Sequence, residues 1–538
     1  MTKHHGGKIL ADRLALHGVE RVFSVPGESF LAALDGLYDH DIPNIVCRQE
    51  GGAAMMAEAH GKMTGTPGVL FVTRGPGATN ASAGLHIAMH DATPLVCFVG
   101  QIPLKHRDRG VFQEVDYRAF FGPLVKWSAE VERTDRLAEY IDRAFAVAQA
   151  GRPGPVVLAL PEDILCAMAE PPKQRPGARA MGRVHPDDIA PMVEAFKLAK
   201  RPLILCGGPH WGDVEKQTAQ ALAERTGAPI AVTFRRQDYI DNDHPNYAGD
   251  LGVGANPALQ KRLGDADCVL LLGAELNDIT TADFTLIDPA DPPTILQVAP
   301  TPEATSKTYP ATLAVAAPPI SMLYQFLDAT PQSPDRGANA ARGEFEKWQV
   351  PQLTPGAVQM ESIICWLRDN ASSDTIITNG AGNYAAFLHR YYRFRQYGTQ
   401  VAPTSGSMGY GLPAAVSAKL HNPDQPVICL AGDGCLQMTI QELSTARQHG
   451  ADIIVIVANN GRYGTIRMHQ ENHYPGRVSG TDLFNPDYAA LAEAYGGTGH
   501  LVTENAQFAD AYRQALTGGL HIIELALDPK MLATTKSL

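Results

Sequence analysis

Residues 427–466 read VICLAGDGCLQMTIQELSTARQHGADIIVIVANNGRYGTI, and the way this stretch divides decides the fold. Val427 to Ala431 is a short apolar run with β-branched residues, a strand by length and composition. Leu436 to His449 carries apolar residues at helical spacing, and Gly450 follows as a stop signal. Ile453 to Ala458 is a second apolar run of strand length. Two strands joined by a helix make a βαβ unit, with parallel strands and a right-handed crossover. Asp433 and Asn460 then both stand at carboxyl ends of parallel strands, where open α/β sheets bind ligands.

Residue chemistry says which ligand. Asp433 supplies a carboxylate and Asn460 a carbonyl oxygen, both hard donors suited to Mg²⁺, which takes its remaining ligands from water and phosphate. Gly434 lets the backbone approach an anion, and the helix behind it aims its N-terminus at the same place. The pair reads as a metal-bridged diphosphate site. Gly-Asp-Gly or Asn-Asn alone is an ordinary turn sequence; the two at strand ends, one crossover apart, point to a ligand.

Gly432-Asp433-Gly434 followed by 24 residues and Asn459-Asn460 closely resembles the thiamine-diphosphate signature. The resemblance implies that Asp433, Asn460 and the backbone carbonyl of Arg462 hold Mg²⁺, which holds the cofactor diphosphate. Other motifs extend it over nearly the whole chain. Arg48-Gln49-Glu50-Gly51 follows the apolar run Ile45–Cys47 and opens a helical pattern. A Glu there is ordinarily a solvated residue in a first helical turn. In the resembled family it bonds the aminopyrimidine ring nitrogen and favours the tautomer that removes the thiazolium C2 proton. Thr73-Arg-Gly-Pro-Gly-Ala-Thr-Asn80 is similar to the acetolactate synthase turn at this place. Phe112-Gln113-Glu114 matches too, and Lys126 falls where those enzymes keep an active-site Lys.

Two C-terminal loops complete the implied cofactor site. Gly380-Ala-Gly-Asn383-Tyr384 follows the strand Thr375–Thr378 and is expected at the diphosphate. Ser405-Gly406-Ser407-Met408-Gly409 precedes a small-residue helix from Pro413 to Ala418. Met408 is expected under the bent cofactor, with the Gly406 carbonyl and Met408 amide on the ring edge. Gly432, Gly434, Cys435, Gly464 and Thr465 belong to the same expected set. Glu50, Gln113 and Glu28 are the expected catalytic residues.

The resemblance implies three α/β domains, each a doubly wound, mostly parallel sheet: residues 1–170 for the aminopyrimidine, 185–330 as a central Rossmann-like domain, and 353–538 for diphosphate and metal. Pro-, Gly- and Arg-rich residues 171–184 and polar residues 331–352 read as linkers. The implied activity is decarboxylation of a 2-oxo acid with transfer of the resulting enamine to a second carbonyl compound, as in acetolactate synthase. The alternative is a non-ligating 2-oxo acid decarboxylase or C–C lyase. A non-catalytic cofactor-binding protein is disfavoured by the presence of Glu50, Asp433 and Asn460 together.

Two departures bear on that choice. Glu28 in Pro26-Gly27-Glu28 stands where acetolactate synthases usually carry Gly; simple pyruvate-type decarboxylases carry an acid there, but their His-His pair is absent. The synthases' acceptor-selecting Trp near His469 is also absent, and Arg467, His469 and His473 read as exposed lid residues or, alternatively, as contacts for a substrate carboxylate or a transferred proton. The synthases hold FAD in the middle domain; Phe234-Arg235-Arg236-Gln237-Asp238 leaves FAD open. The resemblance further implies a homodimer or homotetramer, with Glu50 from one chain and the metal site from another.

Composition bounds the rest. The balance of 45 basic and 57 acidic residues, net −12, argues against a general nucleic-acid binder. No unbroken apolar segment is long enough to span a membrane. The N-terminus lacks a signal-peptide apolar region, so a cytoplasmic protein is expected. The 8 cysteines are scattered without a CxxC, which fits buried thiols rather than disulfides or a zinc site.

Overall fold

A computed structural model describes residues 3–172, 175–177, 181–305 and 307–538. Part of the expected linker 171–184 lies outside the described residues. Three 6-stranded sheets form the frame, and every strand pair within them is parallel. Parallel sheets need cover on both faces, so their strands read as continuous apolar runs. Strands Gly68–Val72, Leu95–Gln101 and Pro155–Pro161 are buried along their whole length, as are Val427–Gly432 and Cys268–Leu272.

Numbered within each sheet in chain order, the first and third sheets share one strand order, 2-1-3-4-6-5. The central sheet runs 3-2-1-4-5-6, the Rossmann order. In the first and third sheets the order reverses between strands 1 and 3, so the loops after those strands diverge and leave a crevice. In the first sheet that crevice is flanked by the loops after Val22–Ser24 and Gly68–Val72, which carry Glu28 and the Thr73–Asn80 turn. In the third it is flanked by the loops after Ile376–Asn379 and Val427–Gly432, which carry Asn383 and Asp433.

The chain divides into two compact units. One gathers the N-terminal sheet together with Leu412–Pro423 and Thr439–Asp452; the other gathers Met181–Gly411, Asp424–Met438 and Ile453–Leu538. The central and C-terminal sheets therefore share a unit. Two segments of the C-terminal stretch pack with the N-terminal sheet instead.

This division corrects the expected crossover helix Leu436–His449. The structure has a 5-residue helix, Asp433–Gln437, then a turn, then a second helix, Glu442–Gln448. The break falls at Thr439 and Ile440, whose β-branched side chains crowd a helix, and there the chain passes from one unit to the other. The strands on either side hold their expected places as Val427–Gly432 and Ile454–Asn459, in parallel register with Ile428 opposite Ile454.

The stretch 331–352, expected as a linker, contains a helix, Ala338–Trp348, with Ala338, Ala341 and Phe345 buried. Its few apolar residues share one face, and Phe345 packs edge-on against Tyr247 of the central sheet with ring centroids 5.1 Å apart. Spacing, not amount, makes the buried stripe, so a stretch low in apolar residues can still pack a helix. Among the described residues no helix is long and apolar enough to cross a membrane. All 8 cysteines are free.

Candidate active site

The third sheet's crevice holds a cavity of about 230 Å³. Asn383, Tyr384, Gly406, Met408, Gly432, Asp433, Gly434, Cys435, Asn460, Arg462, Gly464 and Thr465 all line it. These sequence-expected residues come from four separate loops. Gly380 is the one member of the set that does not line it; it is buried behind, where a side chain at that position would meet the Cys435 sulfur.

Asp433 is 3% exposed. One carboxylate oxygen accepts from the Gly434 amide at 2.8 Å; the other accepts from the Gly461 amide at 2.9 Å and the Asn485 Nδ2 at 2.7 Å. Burial raises its pKa, against the pull of these donors. Among the described residues it has no ion-pair partner. A buried carboxylate without a cation is costly, and a divalent ion would remove that cost. The Asn460 oxygen accepts from the Arg462 amide at 3.3 Å, while its nitrogen donates to the Met531 carbonyl at 3.1 Å. No cluster of three His, Cys, Asp or Glu residues forms among the described residues. The donor set is one carboxylate with amide and backbone oxygens, which fits a hard cation sharing its shell with phosphate and water.

The two asparagines divide their work. Asn460 lines the cavity. Asn459 faces away, donating to Glu524 at 2.7 Å and accepting from Asn485 at 2.8 Å. Asn485, which binds both Asp433 and Asn459, was not foreseen; it lies outside both motifs and no local pattern marks it. Gly434 has a packing reason as well. Its N–H is engaged by the Asp433 carboxylate, its helix is one turn long, and a side chain there would strike the Tyr463 ring at 2.5 Å.

The remaining wall is tightly cross-bonded. Asn383 donates to the Leu532 carbonyl at 2.7 Å and bonds Thr465 at 3.0 Å. The Tyr384 hydroxyl is engaged by the Cys435 sulfur at 3.2 Å and the Gly380 amide at 3.1 Å, so it presents no free donor. Gly406 has φ +67°, a left-handed conformation that favours glycine. Met408 packs against the core beneath this cavity. Leu527, Met531 and Leu532 from the C-terminal end also line it and were not foreseen.

Glu50, Gln113 and Glu28 lie in the other unit, around the Thr73–Asn80 turn. Glu50 begins the helix Glu50–Thr64, capped by the Gln49 side chain. Its carboxylate accepts from Asn80 Nδ2 at 2.9 Å, and a side chain at Gly77 would lie 3.1 Å from it. Gln113 has φ +64° and packs over Gly75. Glu28 is exposed and opens a short turn, whose next residue, Ser29, bonds Thr73 at 2.9 Å.

Lys126 does not reach this turn. Its ammonium group donates to the carbonyls of Val147 and Ala150, each at 2.6 Å, at the end of the helix Leu137–Gln149. Burial and the nearby Arg152 bring its pKa down to about 8. Arg467 pairs with Glu471 at 2.6 Å on the helix Gly464–His473, none of whose residues is buried. Phe234 to Asp238 is a packed junction inside its unit. Arg235 donates to the Gly380 carbonyl at 2.7 Å, the Gln237 side chain to the His389 carbonyl at 2.8 Å, and Asp238 accepts from Gly398 at 2.9 Å.

Sheet order and a cavity at the reversal of strand order define a parallel α/β protein with a ligand-sized crevice, and comparison with known proteins says of which kind. The thiamine pyrophosphate enzyme N-terminal, central and C-terminal domain models match residues 4–120, 189–326 and 380–525. The chain belongs to the thiamine-pyrophosphate-dependent enzyme family. It is 30% identical to the acetolactate synthase isozyme 3 large subunit of Escherichia coli, over 97% of this chain and 95% of that one. It is 29% identical to the acetolactate synthase large subunit of Parasynechococcus marenigrum, over 93% and 83%. A solved thiamine diphosphate-dependent 4-hydroxybenzoylformate decarboxylase from Rhodococcus jostii shares the fold, with a TM-score of 0.86 at 24% identity over 98% and 99% of the two chains.

Proposed function

We propose that the protein is a thiamine-diphosphate- and Mg²⁺-dependent carboligase. It decarboxylates a 2-oxo acid and transfers the remaining fragment to a second carbonyl compound. The observation that carries this is the buried Asp433, without an ion-pair partner among the described residues, facing a cavity with Asn460 and Met408. Bound thiamine diphosphate supplies the electron sink that lets a 2-oxo acid lose CO₂. The side-chain oxygens of Asp433 and Asn460 and the carbonyl of Arg462 would hold the metal. Met408 would form the apolar floor that fixes the cofactor's bend. Glu50, held by Asn80, would share a proton with the aminopyrimidine ring. Gln113, kept over the Gly75 turn, would face the reacting carbonyl. Phe234–Asp238 leaves FAD open: Arg235, Gln237 and Asp238 each carry a bond within the unit.

Glu28 favours a second reading, a non-ligating decarboxylase or C–C lyase, because an exposed carboxyl at that turn can deliver the proton that ends simple decarboxylation. Purified protein with thiamine diphosphate and Mg²⁺ is offered a panel of 2-oxo acids. Ligated 2-hydroxy-ketone or acetolactate-type products are expected; free aldehyde alone would establish the second reading.

A further inference from the structure

The carboxylate of Glu442 lies on the crossover between the strands that carry Asp433 and Asn460, yet it belongs to the N-terminal unit. It is fully buried, and among the described residues it forms no ion pair. Instead its oxygens take backbone donors: the Arg48 amide at 3.2 and 3.3 Å and the Gln49 amide at 3.1 Å. The Thr445 hydroxyl donates to it at 2.6 Å. These amides are the two that precede Glu50. Gly52, one turn into the same helix, has no side chain because one would lie 2.6 Å from the Glu442 carboxylate.

Two further bonds run in parallel. Arg48 donates to Gln448 at 2.6 Å, and the Val46 amide to the ring of His449 at 3.0 Å. A surface contact would not leave a carboxylate dry. Burying one without a cation is costly, and here the cost is met by amides that would otherwise be orphaned at a strand-to-helix turn.

We propose that Glu442 is a positioning residue for Glu50. Resting on the role proposed above for Glu50, the inference is that Glu442 fixes the backbone from which that side chain projects. Asn80 then sets the carboxylate's direction from the other side. The Gln substitution keeps the shape but must turn an N–H toward one of its donors. The Ala substitution removes both acceptors.

The test uses full-length protein as E442Q, E442A and E50Q. Hydrogen–deuterium exchange without cofactor reads the backbone. Exchange of the C2 proton of bound thiamine diphosphate with D₂O reads the proton transfer without any substrate. In E442Q and E442A, amide exchange across residues 44–53 is expected to rise by about tenfold or more while the other strands of the sheet keep wild-type protection. C2 exchange should fall by about tenfold or more, with E442Q the milder of the two. If E442A does not fold, E442Q carries the test alone. Unchanged protection across 44–53, or raised exchange there with wild-type C2 exchange, overturns the positioning role. Wild-type C2 exchange in E50Q overturns the reading of Glu50 itself, whatever Glu442 does.

Discussion

Asp433 depends on a residue no motif contains. Asn485 bonds its carboxylate and Asn459 at once, and partners of this kind set the direction and basicity of a metal ligand. N485A should weaken Mg²⁺-dependent retention of thiamine diphosphate by about 10–100-fold, measured by titrating the metal against cofactor binding. Chelation of Mg²⁺ should release cofactor from the wild type in the same assay. Retention that is indifferent to both would remove Asp433 from the metal site. Glycines near Asp433 show how the same letters serve different ends. Gly434 is expected to give an anion access, and its missing side chain also makes room for the Tyr463 ring. The composition of a turn was legible; the neighbour that required it was not, because Tyr463 approaches from the next loop of the sheet.

Elements explain the errors of place. The crossover helix was expected whole because apolar spacing carried on past Met438. The break came from where its second half packs, and local propensity around Thr439 and Ile440 only permitted it. The resemblance sets Lys126 where the synthases keep an active-site Lys. Its bonds to the Val147 and Ala150 carbonyls make it a helix C-terminal cap, the charge a helix end favours. K126M should therefore cost about 1 kcal/mol of stability, seen as a lower denaturant midpoint at an unchanged slope. An unaltered midpoint would return the residue to other duties.

At the scale of the whole molecule, two buried histidines make stability depend on acid. Burial, helped by Arg21 and His421, brings the pKa of His60 down to about 3 from 6.5; burial and Arg235 do the same for His389. A folded-state pKa below the unfolded one means that each contributes stability fully above pH 6.5 and loses it as pH falls toward 3. Between pH 6.5 and 5 the loss from one such group is about 2 kcal/mol. H60F, which cannot take a proton, should show a smaller drop in melting temperature between pH 7.5 and 5 than the wild type. An equal drop would show that His60 is protonated in the fold. The proposed sharing of the site between chains also demands an oligomer. Sedimentation should give a dimer or tetramer, and an active monomer would contradict it.

What the chain order alone determined is what depends on neighbours within about 30 residues. Strand and helix periods, and the placing of Asp433 and Asn460 at two strand ends, follow from local spacing; the loops with Gly406, Asn383 and Glu50 were marked by short motifs that carry the family resemblance. The three-sheet architecture was legible for the same reason, since each βαβ unit specifies its own crossover. What tertiary structure decided lies in contacts between distant segments. Asn485 reaches Asp433 across 52 positions and Glu442 reaches Arg48 across 394. The helix Ala338–Trp348 earns its place only against the central sheet. Such partners are chosen by burial, which requires every enclosed polar group to find a mate, and no spacing in the sequence records where that mate will come from.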